Sequence, residues 1–174
     1  MESTPYGTYQ HRHNFAVWAG ARAAQRGFTT TEKLKGALES TSIKNFVDRP
    51  YGEHAFNKHH RQWCTSICGR LSSVGVENPT YGRAAKLVAV YLKSMVVLPD
   101  LESEKASYVH PPIDRVLLQN ITKDPEVSTE RSRTLRSVSW TTLSEAAYFD
   151  LISILREING DRPFWKLEEH WDVT

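Results

Sequence analysis

The sequence predicts an all-α protein. Apolar residues recur at helical spacing in several segments, and helix start and stop signals flank most of those segments. The period-two alternation that marks β-strands persists nowhere. A chain of 174 residues is long enough for one core and too short for two comfortable ones. We therefore expect one compact multi-helix domain spanning residues 1–174, with residues 1–10 flexible.

The composition is that of an ordinary globular protein, with 40% hydrophobic and 24% charged residues. No run approaches the roughly 18 apolar residues of a membrane helix, and residues 1–7 lack a signal-peptide pattern. We expect a cytoplasmic monomer that does not bind membranes. Cys64 and Cys68 would share a helix face, a spacing that suits neither a disulfide nor a complete metal site. The sequence therefore predicts reduced thiols, with no metal and no cofactor.

The first half of the chain predicts three helices. One covers residues 13–26, where a stripe at 3.6-residue spacing is followed by a glycine stop: Phe15, Trp18, Ala19, Arg22 and Ala23, then Gly27. Its many alanines allow close packing against a neighbour. Thr29 and Glu32 form a capping box for a short helix through about residue 39. Proline and glycine predict a loop over residues 45–52, before a long helix over 53–72.

The second half predicts a turn at residues 75–79 and a helix over 83–96, which together with the preceding helix form a hairpin of helices at about 58–96. After an irregular stretch, Asp114 is placed to cap a helix over 115–120. A polar segment over 122–139 leads to a long amphipathic helix, for which Thr142 and Glu145 form a capping box and Gly160 is the stop. A short helix closes the chain.

Two segments carry residues suited to chemistry: Thr80 to Lys93, TYGRAAKLVAVYLK, and His110 to Leu118, HPPIDRVLL. An amine is a nucleophile only after losing its proton. Near a helix start, the helix dipole and partial burial would both disfavour the ammonium form of Lys86. The same dipole favours an ionised Asp114, which could accept a proton or stabilise a developing cation. We therefore predict that Lys86 and Asp114 form one site.

These segments resemble the helix-hairpin-helix superfamily of DNA glycosylases. The resemblance covers roughly residues 61–120 and rests on GRAAK entering a helix after a turn and on Pro-Ile-Asp opening another. It implies that Lys86 attacks the sugar carbon, that Asp114 assists, and that backbone amides around Gly82 hold a DNA phosphate. The second hairpin glycine of the family falls at Ala84. The sequence also lacks the cysteine cluster with which some members bind an iron–sulfur centre.

The implied partner is double-stranded DNA containing an altered base, which the enzyme would rotate out of the stack before excision. A lysine nucleophile further implies cleavage of the strand at the abasic sugar. Between residues 58 and 93 there are six Lys and Arg residues and a single acid, and a second basic cluster spans 131–136. Beside the catalytic pair, the predicted site consists of four DNA contacts and four pocket or supporting residues: Gly82, Arg83, Arg70 and Tyr81, then His110, Trp18, Trp63 and His60.

Two other classes of function stay open. Arg49 and His54, in RPYGEH, satisfy the arginine, four residues, histidine pattern of small helical ribonucleases, although Pro50 and Gly52 predict a loop there. The chain could also be a non-catalytic DNA-binding or adaptor module that keeps the hairpin. In that case Lys86→Ala would leave its function intact.

Overall fold

The computed structural model describes residues 5–172, in which every regular element is a helix and no β-strand is present, as the sequence predicts. The helices in chain order are α1 (Thr8–Gln25), α2 (Thr31–Glu39), α3 (Ile43–Asp48), α4 (Glu53–Ser73), α5 (Tyr81–Leu92), α6 (Glu104–Tyr108), α7 (Arg115–Ile121), α8 (Thr129–Ser137) and α9 (Glu145–Asn159). Helix α5 continues into a π-helical turn over Lys93–Val97, and 3₁₀ turns cover Trp140–Thr142 and Phe164–His170. Within the described range, no helix has the length and apolarity needed to cross a membrane.

Helix α5 lies at the centre of the fold, between α1 and α4 and against the 3₁₀ turn at Trp140–Thr142. Nine of its twelve residues are buried. The only positions of α5 that are not fully buried are Arg83, Lys86 and Val90, and half-buried Lys93 continues the same line along the surface of the helix. The spacing of three and four residues places them on one face. Any functional side chain of α5 must therefore leave the core along this stripe.

Small residues hold α1 against α5. The buried face of α1 is made of His13, Ala16, Val17, Gly20, Ala21 and Ala24. A Cβ on Gly20 would lie 3.0 Å from the carbonyl oxygen of Leu87, so only glycine permits this approach without a shift. The predicted close packing of the alanines is confirmed. The predicted stripe is wrong, because Phe15 and Trp18 are more than half exposed.

The long helices were predicted more accurately than the short ones. Helices α4 and α9 begin and end within one to three residues of their expected bounds, and Asp114 caps α7 by accepting a hydrogen bond from the amide of Leu117 at 2.9 Å. Helix α1 begins at Thr8, so residues 8–10 are not the flexible segment expected, while residues 1–4 lie outside the described range. Helices α3, α6 and α8 occupy segments expected to be irregular, which are too short to show an amphipathic period.

The cap residues also differ from the predicted ones. The side chain of Thr30, not Thr29, caps α2, and that of Ser144, not Thr142, caps α9. Thr80 caps α5, which therefore begins at Tyr81 rather than Arg83. The expected helix, turn, helix order is present, because residues 74–80 join α4 to α5. Its identity as a DNA-binding hairpin stays a prediction.

Gly82→Ala should destabilise the protein. A Cβ at this position would lie 2.0 Å from the backbone carbonyl oxygen of Trp140, so the 3₁₀ turn must move away from α5. We expect a loss of about 1–3 kcal/mol in the free energy of unfolding, measured by urea denaturation. Gly36→Ala is the matched control, since Gly36 is an exposed helical glycine with nothing within 4 Å of an added Cβ, and this change should stabilise by about 0.5–1 kcal/mol. Equal effects of the two substitutions would contradict this packing.

Candidate functional site

Lys86 and Asp114, which are far apart in the sequence, meet at the edge of the core. The ammonium nitrogen of Lys86 lies 3.2 Å from Oδ2 of Asp114, and only 12% and 17% of the two side chains are exposed. The same Oδ2 accepts a hydrogen bond from the indole nitrogen of Trp171 at 3.3 Å. Oδ1 accepts from the amide of Leu117. The carboxylate is thus held in one orientation, with one oxygen directed at the amine.

The position of Lys86 along α5 differs from the predicted one. Because α5 begins at Tyr81, Lys86 is its sixth residue, and the field of a helix terminus falls off within the first turn. The local environment is set by side chains instead. The ammonium nitrogen lies 4.6 Å from the centre of the Trp140 ring, which is a cation–π contact. In the resting structure Lys86 is therefore one half of an ion pair packed on an aromatic ring.

A crevice of about 310 Å³ opens beside this pair. Its walls come from α1, α5 with its π-helical turn, the segment before α7 and the last 3₁₀ turn: Phe15, Ala19, Ala23, Lys86, Val90, Lys93, Ser94, Leu98, Pro112, Asp114, Glu168 and Trp171. Most of these side chains are apolar or aromatic. A largely apolar cavity with a few convergent polar groups is the usual form of a small-molecule site. The π-helical turn, a feature common at functional sites, contributes Lys93 and Ser94.

A second ion pair lies in the same crevice. The ammonium nitrogen of Lys93 is 3.0 Å from a carboxylate oxygen of Glu168. Burial raises the pKa of Glu168, and the charge of Lys93 opposes that rise. The crevice thus carries two lysines and two carboxylates against aromatic walls.

The start of α5 is not open to a phosphate. The amide of Gly82 donates to the carbonyl of Leu143 at 3.1 Å, that of Arg83 to the Thr80 hydroxyl at 3.4 Å, and that of Ala84 to the Thr80 carbonyl at 3.1 Å. The carbonyl of Trp140 fills the space above Gly82. The prediction that amides around Gly82 grip a DNA phosphate is therefore wrong for this structure, because all three amides already have acceptors.

The other predicted DNA contacts have different environments. Tyr81 is buried, with its hydroxyl 2.8 Å from Nδ1 of His60, so its side chain belongs to the core. Arg83 is half-buried and packs over the ring of Phe28 at 4.1 Å, and burial lowers its pKa. Arg70 is exposed in the last turn of α4. Of the four, only the two arginines have side chains that reach the surface.

The predicted pocket residues divide between core and surface. His60 and His110 are buried with ring centres 4.9 Å apart, and their Nδ1 atoms lie within hydrogen-bond distance of the hydroxyls of Tyr81 and Tyr148. Trp63 is also buried. None of these three lines the crevice, and neither does Trp18, which is exposed and whose ring lies 5.9 Å from that of the lining residue Phe15.

The arginine and histidine of the ribonuclease pattern are both exposed. Arg49 follows α3 in an extended conformation. His54 is the second residue of α4, within the helix expected over residues 53–72. Neither residue lines the crevice at Lys86.

Sequence reasoning missed the residues that surround the lysine and aspartate. Trp140, Trp171 and Glu168 come from the last third of the chain, and no motif connects them to Lys86. Their only signal is the high tryptophan content, five in all. Among residues 5–172, no group of three or more His, Cys, Asp or Glu side chains could hold a metal ion, and both cysteines are free thiols.

Comparison of the chain with protein-family models, with curated proteins and with solved structures gives no match. The function must therefore be argued from the site itself.

Acid should destabilise the fold through the buried histidines. Burial lowers the pKa of His60 to about 3 and that of His110 well below its usual range. The unfolded chain takes up these protons below about pH 6.5 while the folded chain does not, so stability falls as pH decreases from there towards about pH 3. At about pH 5 His60 alone lowers the free energy of unfolding by about 2 kcal/mol.

Urea denaturation at about pH 7 and about pH 5 measures this dependence. In His60→Gln the difference in the free energy of unfolding between the two pH values should be smaller than in the wild type by about 2 kcal/mol. His54→Gln, a change at an exposed position on the same helix, should retain the wild-type difference. An unchanged difference in the His60 variant would contradict the assignment of a neutral buried imidazole.

Proposed function

We propose that the protein is a DNA glycosylase that excises an altered base through Lys86, assisted by Asp114, and that can cleave the strand at the resulting abasic sugar. The observation that supports this proposal most strongly is the 3.2 Å contact between the Lys86 amine and the Asp114 carboxylate at the edge of an apolar crevice. A nucleophile within hydrogen-bond reach of a base that is itself oriented by a third group is the usual arrangement for covalent catalysis. Here Trp171 and the Leu117 amide orient the base.

The ion pair explains how the amine could be released for attack. Transfer of one proton from Nζ of Lys86 to Oδ2 of Asp114 converts the pair into a neutral amine and a carboxylic acid without moving either side chain. The free electron pair then attacks C1′ of the sugar, and the glycosidic bond breaks with its electrons passing to the base. The departing base takes up the proton held by Asp114. The nitrogen then carries two protons, and one of them passes through the Asp114 carboxylate to O4′ as the C1′–O4′ bond breaks, which opens the sugar ring and leaves a protonated Schiff base. Water hydrolyses it, or removal of the C2′ proton expels the 3′ phosphate.

The crevice supplies a place for the displaced nucleotide. Rotation of a base out of the duplex sacrifices its stacking, and planar aromatic or apolar walls offset that loss. Phe15 and Trp171 are exposed to 55% and 41% and line the crevice with Lys86, so they are available to contact a base. Lys93, Ser94 and Glu168 provide the polar groups that could distinguish one base from another.

Borohydride trapping tests the proposal. Hydride reduces the Schiff base to a stable amine, so the wild-type protein should form a covalent adduct with at least one duplex from a panel of damaged or modified bases. Lys86→Gln should form none. Asp114→Asn should form the adduct about 100-fold more slowly, because asparagine keeps the cap of α7 but cannot take the proton. Lys58→Gln, at an exposed position on α4, should trap like the wild type.

The alternative functions predict different results. An adaptor would bind duplex DNA but release no base and form no adduct with any substrate in the panel. Cleavage of RNA that is lost in His54→Gln would instead identify the ribonuclease. Either result would contradict the glycosylase assignment.

A further inference from the structure

A second cavity, of about 420 Å³, is lined in part by Trp140. We call it the arginine hollow; its lining residues are Arg115, Leu118, Gln119, Leu135, Arg136, Ser137, Val138, Ser139, Trp140 and Thr141. No acidic side chain is among them. The lining therefore includes two arginines and three hydroxyl-bearing residues, and its net charge is positive.

The two arginines have no competing partner among the described residues. Neither Arg115 nor Arg136 makes an ion pair or a side-chain hydrogen bond there, although four other arginines make ion pairs: Arg61, Arg131, Arg156 and Arg162. Arg131, on the same helix as Arg136, is paired with Glu157, for example. A guanidinium presents a planar fork of donors that matches phosphate oxygens, and unpaired exposed forks retain all of these donors for a ligand.

Residues that line the hollow are connected to the Lys86 site through the chain and through direct contacts. Arg115 follows Asp114 directly at the start of α7. Trp140, whose ring contacts the Lys86 ammonium, also lines the hollow. The Thr141 carbonyl accepts a hydrogen bond of 2.6 Å from the Thr80 hydroxyl, which anchors this segment to the start of α5. A ligand in the hollow would therefore lie at a fixed position beside the catalytic pair.

We propose that the arginine hollow binds a phosphate group, and that in the reaction this is a backbone phosphate of the DNA strand whose base enters the crevice. The second part rests on the proposed function. The phosphate grip expected at Gly82 is closed by Leu143 and Trp140, so the strand must be held elsewhere. The hollow supplies the charge and the donors for that contact at the neighbouring surface.

Binding of a fluorescein-labelled duplex tests this proposal. The duplex carries a tetrahydrofuran abasic analogue, which cannot form a Schiff base, and its affinity is measured by fluorescence anisotropy over a series of salt concentrations. Arg115→Gln and Arg136→Gln should each weaken binding about 10-fold. Each should also reduce the slope of log affinity against log salt by about 1. Arg133→Gln, an exposed arginine of α8 outside the hollow, should change neither quantity.

A second arm distinguishes a strand from a small phosphate-bearing ligand. If pyrophosphate binds the wild type in calorimetry and is lost in both variants while duplex binding is unchanged, the strand assignment is overturned and a site for a free phosphate compound remains. If both arginine variants bind the duplex and pyrophosphate as the wild type does, the proposal that the hollow binds a phosphate is overturned. A different result would separate the two proposals. If no protein, including the wild type, formed the borohydride adduct while the salt slopes changed as expected, the glycosylase chemistry would be overturned and phosphate binding in the hollow would be supported.

Discussion

The burial of α5 is the constraint on which the rest of the structure depends. Helices α1 and α4 and the turn at Trp140 enclose it so closely that glycine is required at Gly20 on α1 and at Gly82 on α5 itself. Only one stripe of the helix reaches the surface, and three of its four members are cations. Lys86 therefore leaves a dry, crowded interior at a single place, where Asp114 meets it. The same packing that stabilises the core confines the amine to that geometry.

The resemblance to helix-hairpin-helix glycosylases implies two features together, a lysine–aspartate pair and free backbone amides at the start of the helix. With this packing only the first is present. The lysine and the aspartate come together as expected. The amides at the start of α5 do not remain available, since Leu143 and Thr80 accept from them. A site built this way can have the chemistry of a lysine nucleophile while holding its substrate through other surfaces. The aromatic crevice is lined by Lys86 and Asp114, and the arginine hollow is lined by Trp140, whose ring contacts Lys86.

The sequence was informative where the signal is local. Asp114 was identified as a cap, and the long periodic helices were placed almost correctly, because these features depend on a few neighbouring residues. The buried face of α1 could not be predicted. The largest apolar residues form a stripe at helical spacing, but the residues that pack closely against α5 are mostly small ones on another face. Trp140 and Trp171 could not be assigned to the site either. Their contacts with Lys86 and Asp114 depend on how the last third of the chain folds back over α5.

The central claim is that the Lys86 amine, and no other amine of the protein, carries the chemistry. Tryptic digestion and mass spectrometry of the borohydride-reduced adduct test it most directly. Trypsin does not cleave after an alkylated lysine, so the account predicts the added mass on a single peptide covering residues 84–93, with the modification at Lys86. The same mass on Lys93, on another lysine or on the amino terminus would contradict the account, because the proposed reaction uses the amine that contacts Asp114.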